Sequence, residues 1–232
     1  RTYTINGGAP SGSYIAPTVD GDYTVEISDT DTAGNTATAS ISFTLDTTLT
    51  APTVSLTNDS GEAAEDLITN DASLTVSAAS GDVTRSFTIN GGAPSSSYVV
   101  PVVDGSYTVE VSDTDAAGNI ATASIAFTLD TSLATPTITA VVDDAAPQTG
   151  AVGNGGSSND PLLQLTGAAE AGSTVAIYDG LTLLGSVLAN DAGVWSYATP
   201  SLSDGSHSFT VRATDLAGNT GSASPVWLVT LD

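Results

Sequence analysis

Residues 1–48 read RTYTINGGAPSGSYIAPTVDGDYTVEISDTDTAGNTATASISFTLDTT and return as residues 85–132 at an offset of 84, with 36 of 48 positions identical. Repetition at this level fixes the architecture before any local propensity is weighed, because each copy must adopt the same fold. A third, diverged copy follows: DGSHSFTVRATDLAGN (204–219) aligns with DGSYTVEVSDTDAAGN (104–119) at an offset of 100. Each copy closes on a Leu-Asp pair, Leu45-Asp46, Leu129-Asp130 and Leu231-Asp232, and Pro52 and Pro136 open the stretches that follow the first two. These marks divide the chain into a partial copy 1–49, a complete copy 50–133 and a longer copy 134–232. The first copy lacks a counterpart of residues 51–84, which predicts an open core face unless further residues or a neighbouring molecule supply the missing strands.

Within the copies, apolar and polar residues alternate with period two, as in Tyr107-Val109-Val111 against Thr108-Glu110, and Phe209-Val211 against Ser208-Thr210. This is the pattern of half-buried strands. Asp20-Gly21, Asp104-Gly105, Asp179-Gly180 and Asp204-Gly205 punctuate them as tight turns, and Ala-Gly-Asn recurs at 33–35, 117–119 and 217–219. Only Glu62–Leu67 has a composition that suits a helix, of one or two turns at most. About seven short strands per copy predict an all-β chain of tandem immunoglobulin-like β-sandwiches, although the Cys-Trp-Cys mark is missing. The last two strands of the second copy fall at about 106–115 and 120–130. The Ala-Gly-Asn turn between them then lies at the N-terminal pole of its sandwich, and the Asp-Gly turn and closing Asp lie at the C-terminal pole.

Composition narrows the function. Twenty-six acids face three Arg and no Lys, a net charge of -23, so repulsion makes nucleic acid and anionic membrane poor partners and neither is expected. No Cys and no Lys means no disulfide frame, no thiolate metal site, no Schiff base and no P-loop. No apolar run is long enough to insert in a membrane, and residue 1 is not followed by a basic region and apolar core of the secretory type. With 40% hydrophobic residues the chain is not a disordered acidic tail. Asp outnumbers Glu by 21 to five, a bias that turns and calcium loops explain and solubility does not.

The third copy resembles the bacterial Ig-like repeats of giant, type I-secreted, biofilm-associated adhesins of the RTX type. The resemblance rests on the Asp-Asp (143–144) and Asn-Asp (159–160) pairs around a Gly-rich stretch and on the run GAAEAGSTVAIY (167–178). NDAGVWSY (190–197) and ATDLAGN (213–219) complete it. Over 1–133 it is carried mainly by the last hairpin and the Leu-Asp linker. It implies an extracellular, cell-surface stalk of tandem domains, monomeric and elongated, with calcium stiffening the junctions between neighbouring repeats. Membrane anchoring and recognition of a host or biofilm target would belong to other parts of such a protein.

Calcium takes six to eight oxygens, and the carboxylates that recur in register are its candidates. Asp20, Asp104 and Asp204 precede the penultimate strand; Asp31, Asp115 and Asp215 follow it; Asp46 and Asp130 end the last strand and enter the linkers. Asp20 and Asp104 are the expected co-ligands of Asp46 and Asp130. Loops after the first strand add Asp59 and Asp71 in the second copy and Asp143 and Asp160 in the third, the latter pair expected beside Asp204. The competing reading is turn chemistry, in which each Asp bonds its local backbone. Asp113–Ser124 fails the EF-hand pattern at Ala117 and Ser124. His207 aligns with Tyr23 and Tyr107 and reads as a packing residue, and no catalytic constellation recurs, so the chain reads as non-enzymatic. A rival function is a carbohydrate-binding adhesive module using Trp195 and its neighbours, since Trp occurs only in the third copy.

Overall fold

The computed structural model describes all 232 residues, and every regular element is a strand. The helix-compatible run 62–67 is a loop instead. Asp59 Oδ2 accepts the amides of Glu65 and Leu67 at 2.7 and 3.1 Å, holding both residues at positive φ, +86° and +61°, which no helix allows. By contact the chain gathers into two compact units, one of Arg1–Val54, Val76–Tyr98 and Val109–Ile125, the other of Ser55–Thr75, Val99–Thr108 and Ala126–Asp232.

The first copy forms one antiparallel sheet of β1 (Thr2–Ile5), β2 (Gly21–Thr30) and β3 (Thr36–Leu45), in that order. The second copy has β4 (Val54–Leu56), β5 (Ile68–Thr69), β6 (Leu74–Val76), β7 (Thr84–Ile89), β8 (Gly105–Thr114) and β9 (Ile120–Leu129). Its sheets are β4-β6 and β5-β9-β8-β7, with β5 parallel to β9. The predicted hairpin is therefore β8–β9.

The third copy runs from β10 (Thr137–Asp143), β11 (Gly150–Ala151), β12 (Gly156–Ser158) and β13 (Gln164–Ala168) to β14 (Thr174–Asp179) and β15 (Thr182–Leu188). It ends with β16 (Val194–Ala198), β17 (Gly205–Thr214) and β18 (Trp227–Leu231). A four-stranded sheet, β11-β10-β13-β16, and a five-stranded one, β12-β18-β17-β14-β15, make its two layers. Alternate residues of each face close the core: Val175 and Ile177 of β14 and Phe209, Val211 and Ala213 of β17 meet Val141, Leu163, Leu165 and Trp195. Trp195 lies opposite Gly167 in the β13–β16 register, and a Cβ on Gly167 would stand 2.3 Å from the indole and 1.9 Å from Thr137 O. Glycine is the one residue that lets the indole lie flat on this strand.

Two polar devices mark the copies. Tyr23 and Tyr107 each donate their hydroxyl to the carbonyl four residues earlier, Val19 and Val103, at 2.7 Å. His207 occupies the same place: Nε2 lies 2.8 Å from Ser203 O and Nδ1 2.6 Å from Asp179 Oδ2, with Phe209 stacked beside the ring. Two acceptors on two ring nitrogens require two N–H groups, the imidazolium form. The second device is an ion pair. Arg85 makes a two-pronged bond to Asp113 at 2.7 Å on both prongs, and its Nη1 also donates to Ser77 O. The first-copy equivalent, Arg1–Asp29, is exposed. In the third copy the same cross-strand pair is Val175 opposite Ala213.

Two outcomes follow for stability. Burial opposes charging of His207, but the bonds to Asp179 and Ser203 and the Asp179 charge outweigh it, so its folded pKa is raised above 6.5. A raised folded pKa stabilises below the unfolded value, and that stability is lost as pH rises through the folded pKa. The melting temperature should therefore fall as pH rises from the ordinary imidazole range through the raised folded value, and His207→Gln should flatten the profile there. Secondly, Arg85→Ala strands the buried Asp113 carboxylate and should destabilise by about 3–5 kcal/mol. The double change Arg85→Val with Asp113→Ala, which copies the third-copy pair, should recover most of that loss in denaturant titration.

Candidate metal centre

The Asp-x-Ala-Gly-Asn turn after the penultimate strand is built alike in all three copies. In the second, Asp115 Oδ1 accepts the Asn119 amide at 2.8 Å and Oδ2 accepts Asn119 Nδ2 at 2.8 Å. Asp215 and Asn219 repeat both bonds at 2.8 Å, and Asp31 and Asn35 repeat them at 2.8 and 2.9 Å. The Asn side chain holds the carboxylates of Asp31 and Asp115 below the usual range. The same Asn Nδ2 also reaches the linker: Asn119 donates to Asp46 O at 3.2 Å and Asn219 to Asp130 O at 2.9 Å. One amide thus fastens the turn of the second and of the third copy to the Asp that closes the last strand of the copy before it.

At the second of these joints three carboxylates converge. Oxygens of Asp130, Glu170 and Asp215 lie within 4.8 Å of one another. Asp130 comes from the end of β9, Asp215 from the turn after β17, and Glu170 from the β13–β14 turn, whose shape is set by Ser173 N donating to Glu170 O at 3.1 Å. Burial raises the Glu170 pKa first, and repulsion by Asp130 and Asp215 raises it further, against a bond from the Ala134 amide. Each such pair at about 4 Å costs roughly 1–4 kcal/mol across plausible effective dielectrics. Three hard oxygen donors carrying three negative charges, with no basic side chain among them, suit a hard divalent cation of the calcium type, with carbonyls and water completing the shell.

The loop at 58–71 closes the same joint. Ser60 Oγ donates to Ala217 O at 2.5 Å, and Asn70 Nδ2 approaches Asn219 Oδ1 at 3.4 Å. Gly61, at φ +108°, lies so close to the Leu216 carbonyl that a Cβ would stand 2.0 Å from it.

At the first joint, Asp46, Asp82, Asp113 and Asp115 line a cleft of about 480 Å³ together with Ser80. Register places Ser80 where the third copy has Glu170, since Thr84 pairs Thr114 as Thr174 pairs Thr214 and both turns close three residues back, on Ser80 O and Glu170 O. The joint therefore lacks the counterpart of Glu170.

The other candidate residues are placed as follows. Asp104 takes Thr131 N and Oγ1 on one oxygen, at 2.8 and 2.7 Å, and Ser132 Oγ on the other at 2.9 Å; Asp20 holds Thr47 and Thr48 in the same way. These two clamp the linker, and their carboxylate pKa values are lowered by it; the structure brings Asp130 to Asp215 and Glu170 and leaves Asp104 on the linker. Asp71 caps Ser73 N at 2.9 Å, and Asp59 holds the 65–67 loop. Asp143 and Asp160 are buried and joined through Ser158, whose hydroxyl donates to Asp143 at 2.6 Å and accepts the Asp160 amide at 3.0 Å. Asp204 is exposed. Glu170 carries neither signal that marks the other candidates, since it is not an Asp and does not recur; it stands inside the GAAEAGSTVAIY run as one of only five Glu. The sugar-stacking role for Trp195 is corrected: the indole is 1% exposed in the third-copy core and presents no face to a ligand.

Among solved structures, the chain is similar to the fibronectin(III)-like modules of CbhA from Clostridium thermocellum at 16% identity, with 78% of this chain and 94% of that one covered and a TM-score of 0.40. It is similar to a tetra-tandem repeat from the extending region of a large adhesion protein at 22% identity, covering 100% of this chain and 66% of that one, TM-score 0.36. A Ca2+-stabilized adhesin with which an Antarctic bacterium binds ice matches at 22% identity over 91% of this chain and 57% of that one, TM-score 0.34. No curated protein matches. Models described as bacterial Ig-like domain match residues 3–47, 48–131 and 133–232. Most of the sequence is thus accounted for in three successive stretches, and the chain belongs to the bacterial Ig-like domain family.

Proposed function

We propose that this chain is a non-enzymatic extender segment of a bacterial cell-surface adhesin, in which calcium at the joints between copies 1–49, 50–133 and 134–232 stiffens a stalk serving adhesion and biofilm formation. The observation that carries the reading is the Asp130–Glu170–Asp215 cluster. It draws one carboxylate from the linker and two from the sandwich that follows. A cation there cancels a repulsion that otherwise pushes the linker away from the next copy. Family membership and the head-to-tail repetition support the spacer role, and the Asn219 bond to Asp130 O supports the joint as the place where stiffness is set. Extracellular location follows from the adhesin reading, as does the weak affinity of extracellular calcium modules, with Kd of about 0.1–1 mM.

Calorimetry and small-angle scattering of the chain with calcium or EDTA test this. Calcium should raise the melting temperature and lengthen the maximum dimension, and Glu170→Gln should weaken binding about tenfold by removing one ligand charge. If neither quantity responds to calcium, the reading is wrong. Protons should compete. The raised folded pKa of Glu170 makes its protonation stabilise the metal-free chain below the ordinary carboxyl range, and that stability is lost as pH rises through the folded value. Calcium affinity should therefore drop as pH falls through the Glu170 titration.

The two joints should also differ. With Ser80 in place of Glu170, the first binds more weakly, and Ser80→Glu should add a second calorimetric site of affinity similar to that of the Glu170 joint. A fit unchanged by Ser80→Glu would refute the equivalence of the two joints.

A further inference from the structure

An edge strand is where a sheet can pair with another chain, and natural sheets guard their edges with charge, proline or short length. The five-stranded layer of the third copy ends in β15, which has β14 on one side and no strand on the other. β15 is seven residues long, and from Gly180 to Asn190 the sequence has no charged residue and no proline. In a chain of net charge -23 this edge is unguarded. Its outward side chains are apolar, with Leu183 and Leu188 56% and 63% exposed.

The register with β14 sets the main chain at this edge. Val175 pairs Val187 and Ile177 pairs Gly185, and just beyond the strand Ala189 N donates to Ser173 O at 2.9 Å. Ladder bonds alternate along an antiparallel pair. Gly185, Val187 and Ala189 therefore turn their N–H and C=O groups to β14, and Ser186 and Leu188 turn theirs outward. The Leu184 carbonyl accepts the Tyr197 hydroxyl at 2.7 Å, which leaves it one lone pair. Tyr197 lies against Gly185, where a Cβ would stand 2.5 Å from the hydroxyl oxygen, so the gap between the two layers is plugged behind the edge.

The geometry points to pairing of β15 with β15 of a second copy of this chain, antiparallel about a two-fold axis at Ser186. The two Ser186 residues exchange N–H···O bonds, and each Leu188 N–H meets the remaining lone pair of the other chain's Leu184 carbonyl. The side chains are self-complementary as well. Leu188 stands two residues after Ser186 and Leu183 three before it, and the bulge at Leu184 takes up the odd residue. Leu188 of one chain then lies beside Leu183 of the other. Charge permits the approach. Asp179, at one end, turns onto His207 Nδ1 and the Ser208 amide at 2.6 and 2.8 Å. Asp191, past the other end, is carried by the two-fold axis on the order of 20 Å or more from its counterpart, beyond the screening length of about 8 Å at physiological salt. The pairing needs no metal, so it stands apart from the calcium reading of the joints.

One strand pair is a small interface and associates weakly, so the test is sedimentation equilibrium of the intact chain from about 10 µM to 1 mM. EDTA is present throughout, and sodium chloride is raised in steps to screen the net charge. The expected result is a reversible monomer–dimer equilibrium that tightens with salt, with amide exchange at Ser186 and Leu188 slowing as dimer forms. Ser186→Lys sets two like charges on the axis and should weaken the dimer by about tenfold or more. Leu188→Lys should do the same, and both positions are exposed, so the monomer keeps its melting temperature. Val102→Lys makes the same charge change at an exposed site of the second copy and should leave the dimer intact. The proposal is overturned by a monomer at every concentration and salt, by a dimer that survives both β15 variants, or by a dimer without slowed exchange at Ser186 and Leu188.

Discussion

The bond from the Ala-Gly-Asn turn to the preceding linker is the interaction on which the joints depend. Asn219 Nδ2 divides its two protons between Asp215 and the Asp130 carbonyl, and Asn119 does the same between Asp115 and the Asp46 carbonyl. Because one amide serves both, the side chain that closes the turn also holds the linker. The carboxylates of Asp130 and Asp215 are brought together as a by-product of this bond, so like charges are collected where the chain most needs them apart. A cation is the simplest remedy that chemistry offers for such an arrangement.

The Asp excess is then a division of labour. Asp20 and Asp104 grip two hydroxyls and one amide of the linker, which orders it from below. Asp31, Asp115 and Asp215 shape the turn above. Asp143 and Asp160 share Ser158 and brace the loops of the third copy. Most of these carboxylates accept hydrogen bonds from backbone or hydroxyl donors, and the short Asp side chain is suited to that reach where Glu is not. Glu170 is the exception that illustrates the rule: it sits on a turn one strand away and must span a gap to meet Asp130 and Asp215.

Much of the fold was legible because the duplication, the period-two alternation and the Asp-Gly turns agree with one another. The β8–β9 hairpin falls within a residue or so of its predicted limits, and the Ala-Gly-Asn turn joins its strands as expected. Two features were not legible, for physical reasons. The Glu62–Leu67 run has helix-forming composition, but the carboxylate of Asp59 captures its amides, and a tertiary hydrogen bond outweighs propensity. At the candidate site, recurrence pointed to Asp130 and Asp215 but could not find Glu170, which belongs to one copy only. Nor could it show that Asp104 would be engaged with Thr131 and Ser132, since a linker hydroxyl and a metal ion attract a carboxylate equally well on paper. Trp195 looked available until its packing against Gly167 was seen.

The Arg85–Asp113 pair has a consequence for resistance to proteases. Proteases that cut after basic residues need an accessible Lys or Arg in a segment able to extend into their cleft. This chain has no Lys; Arg85 and Arg212 lie within strands, and Arg1 stands just ahead of β1, paired with Asp29. The Arg85 guanidinium is spent on Asp113 and Ser77, and Arg212 stands in β17 between β14 and β18 in its sheet. Both internal Arg are thus held in sheets, where a trypsin-like enzyme must unpair a strand before it can cut. The scarcity of cations that leaves the carboxylates unneutralised also makes the chain hard to digest.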